Sequence, residues 1–122
     1  VRPGVETLGC RVHREDAVAA GPTLVRDGVF AVDAATERFD TRSNLWRATR
    51  QSAIGLLPDG RYLLAMLEHG TPEDMARALV LQGVRDALRL DSGTSSALYL
   101  QGGMAAGLWG RPVANAIAFL PR

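Results

Sequence analysis

One segment of this chain carries a complete set of helix signals. Thr71 stands at the N-cap position, Pro72 at the first helical position, and Asp74 where a carboxylate closes a capping box. Apolar residues then recur at helical spacing as far as Gly83, and glycine is the commonest residue just after a helix because it tolerates a positive φ. The sequence therefore predicts one helix of about three turns beginning at Thr71.

Short apolar runs bounded by Gly, Pro, Asp and Ser predict strands on both sides of that helix. The clearest is a hairpin in which the strands 52–57 and 61–67 are joined by Pro58-Asp59-Gly60. Further strands are predicted at 7–13, 17–20, 23–25, 29–32, 87–90, 97–100 and 113–120, with a turn at 102–103. One helix among many strands, without regular β-α-β alternation, predicts an α+β fold with a mixed or antiparallel sheet and one main helix packed on a face.

The polar stretch 34–50 is predicted to be a long connection between strands. Loops of this length are uncommon unless they bind a ligand or are disordered. Trp46 lies within it, and two roles are open: stacking on a sugar ring, or holding the loop against the core.

Length and composition fit one globular domain. At 122 residues the chain can build a single core, and no apolar run approaches the roughly 20 residues that cross a membrane. The 14 basic and 13 acidic residues give a net charge of +1 without a basic stripe, so nucleic acid is not an expected partner. Cys10 is alone and the only histidines are His13 and His69, so no internal disulfide or metal site is expected. Nothing in the sequence identifies a cofactor.

The run Asp91-Ser92-Gly93-Thr94-Ser95-Ser96, between two predicted strands, is the main candidate for a binding site. Gly93 can adopt a positive φ, and its small neighbours let backbone amides come close to a ligand. Amide and hydroxyl donors suit sugars and phosphates. The alternative is an ordinary hydroxyl-rich turn, since Ser, Asp and Gly favour turns for local reasons, and these residues alone leave both open.

The chain resembles the phosphodiester glycosidase family in four segments that keep the family's order. Residues 82–96, QGVRDALRLDSGTSS, resemble its signature G-x-x-x-A-L-N-L-D-G-G-G-S-S. Residues 20–28 are similar to its G-P-x-L-V-x-x-G element and residues 52–60 to its R-T-A-I-G-x-x-x-D-G element. Residues 111–117 are similar to its R-x-V-x-N-A-L element. Four ordered matches are more specific than any one alone.

The resemblance runs from about residue 16 to residue 119 and corresponds to the later part of the family domain. Residues 1–122 are therefore predicted to be a single domain, the C-terminal part of a phosphodiester glycosidase-like domain, and the chain is expected to be a processed product or a fragment. The family's earlier N-G-G-Y-F-type element has no counterpart. Ser92 and Thr94 stand at glycines of the signature. Gln51 stands at the Arg of R-T-A-I-G, with Arg50 one position away, an offset that on a strand turns a side chain to the other face.

The resemblance implies hydrolysis of a sugar-1-phosphodiester at the anomeric carbon, which needs carboxyl groups and donors for the phosphate oxygens. Asp91 is predicted to be the catalytic carboxylate, and Arg50 the catalytic ligand of the phosphate, because a guanidinium presents a rigid fork of donors. Substrate binding is assigned to Gly93, Thr94, Ser95, Ser96 and His69. For His69 the role is that of an acid or base near physiological pH, for which histidine is suited. The alternatives are a surface role for Arg50 and a plain loop role for His69.

A second function fits the departures at Ser92, Thr94 and Gln51: a non-enzymatic carbohydrate- or envelope-binding module, or an assembly subunit, on the same fold. In either case the expected ligand is a glycosyl phosphodiester or carbohydrate, and the resemblance implies an extracytoplasmic location. A sheet that lacks its neighbouring strands has an open edge. We therefore expect another chain or a preceding segment to cover that edge, and the 122-residue chain alone to be inactive or weakly active.

Overall fold

The computed structural model describes residues 20–100, 103–106, 112–113 and 116–120. In this part of the chain a helix packs on a five-stranded sheet, and a two-stranded ribbon follows. The sheet strands are β1 (Thr23–Arg26), β2 (Val29–Phe30), β3 (Thr49–Leu56), β4 (Tyr62–Gly70) and β5 (Asp86–Ser92); the helix is α1 (Pro72–Leu81); the ribbon strands are β6 (Leu98–Leu100) and β7 (Gly103–Ala106). The sheet order is β2-β1-β5-β3-β4 and each pairing is antiparallel. The α+β prediction is confirmed, and the sheet is antiparallel rather than mixed.

Helix α1 begins and ends where its sequence signals predict. The amide of Asp74 donates to Thr71 Oγ1 at 3.2 Å, and the amide of Thr71 donates to Asp74 Oδ2 at 2.9 Å, which completes the capping box. These hydrogen bonds with Thr71 hold the pKa of Asp74 below its usual value. The helix ends at Leu81, and Gly83 follows with a φ of 76°. None of the described helices is long and apolar enough to cross a bilayer.

The apolar side of α1 covers one face of the sheet. The largest helix side chains in this contact, Met75 and Leu79, are each 2% exposed, and burying a side chain of this size contributes roughly 1.5–3 kcal/mol. Gly55 of β3 leaves room for Val84, which follows the helix, because a Cβ at position 55 would lie 2.9 Å from Val84 Cγ1. The core consists of Leu24, Val25, Ala53, Met75, Ala76, Leu79, Val84 and Ala87.

The opposite face of the sheet is also apolar at its centre. Alternate residues of a strand point to opposite faces, so Ile54, next to the core residue Ala53, lies on the face away from α1. Its partners in register are Leu64 of β4 and Leu88 of β5. Strand β4 forms one edge of the sheet, since within the described residues it pairs with β3 alone.

The predicted hairpin is confirmed. Strands β3 and β4 pair from Leu56↔Tyr62 back towards the start of β3, and Gly60 in the connecting turn has a φ of 90°. The strand predicted at 29–32 is shorter, since β2 covers Val29–Phe30.

The strand predicted at 113–120 is wrong for the residues that can be described there, 112–113 and 116–120, which are not in a strand. Its apolar side chains are exposed, with Leu120 82% and Phe119 54% accessible, although the Phe119 ring contacts that of Tyr62. Apolar residues favour a strand only where a partner strand and a packed face receive them. The predictions at 7–13, at 17–19 and at residue 102 lie outside the described residues.

The long connection before β3 is ordered by side-chain contacts. The amide of Thr23 donates to Glu37 Oε2 at 2.9 Å, which ties the loop to β1. Trp46 donates its indole N–H to the carbonyl of Asp40 at 3.0 Å, and its ring meets Phe39 edge to face at a centroid distance of 6.3 Å. Both of these Trp46 contacts are within the loop, so they order the loop internally, and the two roles open from the sequence stay predictions.

Candidate functional site

An open cavity of about 300 Å3 lies where the start of β3 and the end of β4 meet the turn after β5. Three short segments line it: 48–50, 68–69 and 93–94. We call these the first, second and third wall. The volume is at the lower end of the range for small-molecule sites, about 300 to 1,000 Å3.

The structure brings four of the seven predicted site residues to this cavity. Its lining consists of Ala48, Thr49, Arg50, Glu68, His69, Gly93 and Thr94. The other three predicted residues do not line it: Asp91 lies near the end of β5, and Ser95 and Ser96 lie in the turn that follows. The geometry thus joins Arg50 and His69 to the turn, and the catalytic and binding roles remain predictions.

The turn has the conformation that its sequence predicts. Gly93 has a φ of 65°, and residues Gly93–Ser95 form one 3₁₀ turn that is closed by the Ser96 amide donating to the Gly93 carbonyl at 3.2 Å. Among the atoms of the described residues, a Cβ at position 93 would have only Thr49 Oγ1 within 4 Å, at 3.8 Å. Glycine is therefore favoured here by its backbone conformation rather than by lack of space.

Asp91 is tied to β3 through its backbone. Ser52 Oγ donates to the Asp91 carbonyl at 2.6 Å, and the buried Ser96 hydroxyl donates to Ser52 Oγ at 3.5 Å. The Asp91 carboxylate accepts from the Ser92 amide at 2.8 Å and is exposed. Solvent and a ligand therefore both have access to this carboxylate.

The guanidinium of Arg50 is nearly buried and already has an anionic partner. Its Nη2 and Nε lie 3.1 and 3.3 Å from Glu68 Oε2, and the two side chains are 10% and 66% exposed. A phosphate group that enters the cavity would therefore share Arg50 with Glu68 or replace it. Glu68 was missed from the sequence, since it belongs to none of the motifs and stands at the exposed end of an apolar strand.

A second guanidinium, that of Arg89 on β5, is buried beside the turn. Arg89 is 7% exposed and donates from Nε to Gln51 Oε1 at 2.9 Å, from Nη1 to the Leu90 carbonyl at 3.2 Å, and from Nη2 to Ser92 Oγ. Burial lowers the pKa of Arg89, and the negative charge of Asp91 opposes that shift. An arginine stays protonated under such a shift, so the charge is permanent.

Arg50 and Gln51 lie on opposite faces of β3, as the one-residue offset predicts: Arg50 meets Glu68, whereas Gln51 meets Arg89. Arg89 was missed as a site residue. The one available signal was its place at the Asn of the A-L-N-L-D signature. Among the described residues, no group of three or more His, Cys, Asp or Glu side chains is placed to hold a metal ion.

A family model supplies the decisive comparison: the model described as phosphodiester glycosidase matches residues 6–120. The chain belongs to the phosphodiester glycosidase family. The resemblance carried by the four motifs is thereby confirmed, and the match covers nearly the whole of this chain. No curated protein matches the chain.

Two solved structures are similar to this glycosidase-family chain. A hypothetical protein from Synechocystis superposes with a TM-score of 0.65 and 28% identity, over 73% of this chain and 18% of that one. The catalytic domain of zebrafish N-acetylglucosamine-1-phosphodiester alpha-N-acetylglucosaminidase, auto-inhibited by its pro-peptide, superposes with a TM-score of 0.62 and 18% identity, over 73% of this chain and 34% of that one. The zebrafish likeness shows a common fold alone. This chain therefore spans about a fifth and a third of the lengths of these two proteins.

Proposed function

We propose that this chain forms the part of a phosphodiester glycosidase domain that binds a sugar-1-phosphodiester and cleaves it at the anomeric carbon. The observation that carries the proposal is the meeting of a guanidinium, a carboxylate, an imidazole and the turn at Gly93 around one cavity. Family membership supports the class of reaction. The identities of the sugar and the leaving group are not part of the proposal.

The phosphate is assigned to the space between Arg50 and the third wall. Arg50 offers a fork of charged donors, and the turn at Gly93 and Thr94 has little side-chain bulk to keep an anion from its amides. Donors held on two separate walls are oriented before the substrate arrives. Such donors stabilise the negative charge that the phosphate oxygens gain as the bond to the anomeric carbon breaks.

Two carboxylates are candidates for the work at the sugar. Asp91 is the one that the family resemblance implies, and it is exposed beside the turn. Glu68 is the one that lines the cavity, where it is paired with Arg50. Glycoside hydrolysis commonly uses two carboxyl groups, and a phosphate leaving group needs less protonation than a sugar alcohol does. We assign Asp91 to the developing positive charge at the anomeric carbon and Glu68 to the activation of water.

A second candidate is a binding module that does not turn its ligand over. It is favoured by the ion pair between Arg50 and Glu68 and by the departures from the family motifs at Ser92, Thr94 and Gln51. One experiment separates the two functions: sugar release from a panel of sugar-1-phosphodiesters, measured beside the affinity for the same compounds. Binding with sugar release supports the enzyme. Binding without release supports the module, and neither binding nor release rejects both.

Variants at the cavity sharpen this experiment. Arg50→Gln should weaken binding about 10- to 100-fold, the equivalent of one charge-assisted hydrogen bond. Glu68→Gln should tighten the binding of phosphodiester, because it frees Arg50 from its ion pair. The matched control is Arg61→Gln, which removes an arginine that pairs with Asp59 in the exposed hairpin turn, and both binding and release should be unchanged.

We further propose that strand β4 is covered in the functional protein by another chain or by a further segment of the domain. The nine residues of β4 contain neither Pro nor Lys, which usually protect an edge strand. Leu64 and Met66 lie on the sheet face that α1 does not cover. The greater length of the two related structures supports the same view.

A further inference from the structure

Two buried side chains, those of Gln51 and Arg89, lie behind the cavity. Together they contact a residue adjacent in sequence to each of the three walls. Gln51 is fully buried on β3, Arg89 is 7% exposed on the paired strand β5, and Arg89 Nε donates to Gln51 Oε1 at 2.9 Å. Neither side chain lines the cavity. Any influence on a ligand must therefore pass through the walls.

Gln51 holds the first and second walls. Its Nε2 donates to the carbonyl of Gly70 at 3.1 Å and to that of Arg47 at 3.4 Å. Arg47 immediately precedes the first wall, and Gly70 immediately follows the second. A single amide group thus connects the segment that carries Arg50 with the segment that carries Glu68.

Arg89 holds the third wall. Its Nη2 donates to the hydroxyl of Ser92, the residue just before the wall, and its Nη1 donates to the Leu90 carbonyl at 3.2 Å. Through Gln51, the same guanidinium is connected to the other two walls. The planar fork of an arginine directs its donors to fixed positions, which a lysine ammonium does not.

The pair is a poor source of stability. The described residues place no carboxylate within ion-pair distance of Arg89: its direct contacts are neutral oxygens of Gln51, Leu90 and Ser92, and the charge of Asp91 acts on it from farther away. Removing a guanidinium from water is costly, and well-packed apolar residues often stabilise a fold as well or better. A buried charge with this set of contacts is therefore better explained by the geometry that it imposes.

We propose that Gln51 and Arg89 are positioning residues that fix the three walls of the cavity relative to one another. The pair thereby sets the separation between the Arg50 guanidinium and the turn at Gly93. The effect on turnover rests on the proposed function, whereas the effect on wall geometry does not.

Both positions also depart from the motifs of the family that the chain resembles. Those motifs have Arg at position 51 and Asn at position 89, whereas here an amide stands at 51 and a guanidinium at 89, on the paired strands β3 and β5. A guanidinium and an amide on adjacent strands can also form a hydrogen bond with the two groups exchanged.

Backbone order parameters from 15N relaxation test the proposal directly. Gln51→Glu keeps the acceptor for Arg89 but loses the donors to Arg47 and Gly70, so the first and second walls should loosen while the third is unchanged. Arg89→Lys should loosen the third wall. In each case the order parameters of the affected wall should fall from about 0.85 towards 0.6, with the core strands unchanged.

The exchanged double variant, Gln51→Arg with Arg89→Asn, keeps a guanidinium and an amide on the paired strands but removes the donor to Ser92, so the first and second walls should regain their order parameters while the third stays loosened. The matched control is Arg85→Lys, since Arg85 pairs with Asp86 at the far end of β5 and touches no wall. If Arg89→Lys does not fold, Gln51→Glu still gives the wall-specific pattern. Unchanged order parameters in all walls, or an equal loss through the whole domain, would overturn the proposal.

A turnover assay on the same variants separates this proposal from the proposed function. Displacing walls by an ångström can cost about 100-fold in rate, so Arg89→Lys should lower kcat about 10- to 100-fold, and the double variant, which still lacks the donor to Ser92, should not recover the full rate. If the natural chain releases no sugar but the wall-specific loosening is seen, the positioning role stands and the enzymatic function fails. If sugar is released and kcat is unchanged in Arg89→Lys, the positioning role fails and the function stands.

Discussion

Replacing Gly93 by alanine tests whether the turn at the cavity depends on its backbone conformation. Gly93 has a φ of 65°, and in the part of the chain that the structure describes a Cβ built on it meets nothing closer than Thr49 Oγ1 at 3.8 Å. No side-chain clash therefore contributes. The cost is that of a left-handed conformation for an L-residue, roughly 1–2 kcal/mol.

Gly60 provides the matched control, because its φ is 90° and a Cβ there meets no described residue within 4 Å. Gly60→Ala should lose a similar free energy of unfolding, while it leaves the cavity unchanged. In a domain of this size, 1 kcal/mol lowers Tm by about 3–5 °C. Both glycine variants should show such a shift in thermal and urea unfolding.

The two variants should differ in ligand binding. Gly93→Ala should also weaken the affinity for a sugar-1-phosphodiester, since the strain is relieved by moving the amides of the third wall, whereas Gly60→Ala should keep the affinity of the natural chain. A Gly93→Ala protein that is as stable as the natural chain would refute the reasoning about backbone strain. A destabilised protein with undiminished affinity would refute the role of the turn in binding.

Further predictions concern the helix cap, the stability of the fold at acid pH, the catalytic carboxylate and the sheet edge. Thr71→Ala should lower the free energy of unfolding by about 1 kcal/mol through loss of the capping box, measured by urea unfolding. Folding lowers the pKa of Asp74, so the ionised Asp74 carboxylate stabilises the fold fully above the unfolded pKa of about 3.9, and this stabilisation is lost as pH falls through the folded pKa. Asp74→Asn removes the titrating group, so the free energy of unfolding should decline less steeply in acid than it does in the natural chain. Asp91→Asn should abolish sugar release with little change in Tm, whereas an unfolded variant would make Asp91 a structural residue of the turn. The 122-residue chain alone should self-associate or take up a partner through β4 on sedimentation, and a monodisperse, fully active monomer would contradict that proposal.

The elements that the sequence predicted well are those with local signals. Each of two features, the capping box at Thr71 and the left-handed conformation of Gly60, is determined by residues within four positions of it in the sequence. Both appear in the structure as expected. The strand at 113–120 has suitable apolar residues but depends on a partner strand elsewhere in the chain. Its local pattern could not reveal that such a partner is missing from the described residues.

The site was predicted only in part, because some of its residues belong to a local motif and others come together through strand pairing. Gly93 and Thr94 belong to a recognisable turn, and they line the cavity. The pairing of Arg50 with Glu68 depends on the irregular register between β3 and β4, where Thr49 pairs with Gly70 but Gln51 pairs with Leu67. No single stretch of sequence contains that register.

The contacts of Arg89 also depend on strand pairing. Its contact with Gln51 joins residues 38 positions apart and depends on the shifted register between β3 and β5. The substitutions at positions 51 and 89 are each visible as departures from a motif. Only the strand pairing shows that the two departures belong together.

The most direct test of the site is an NMR titration of the 15N-labelled chain with an alkyl ester of a sugar 1-phosphate. The amides of Gly93 and Thr94 and the Nε–H of Arg50 should shift together with one dissociation constant, because these groups border one cavity. The signals of the hairpin turn around Gly60 should stay in place. Shifts confined to residues outside the three walls, or no shifts at millimolar ligand, would contradict the assignment of this cavity as the phosphodiester site.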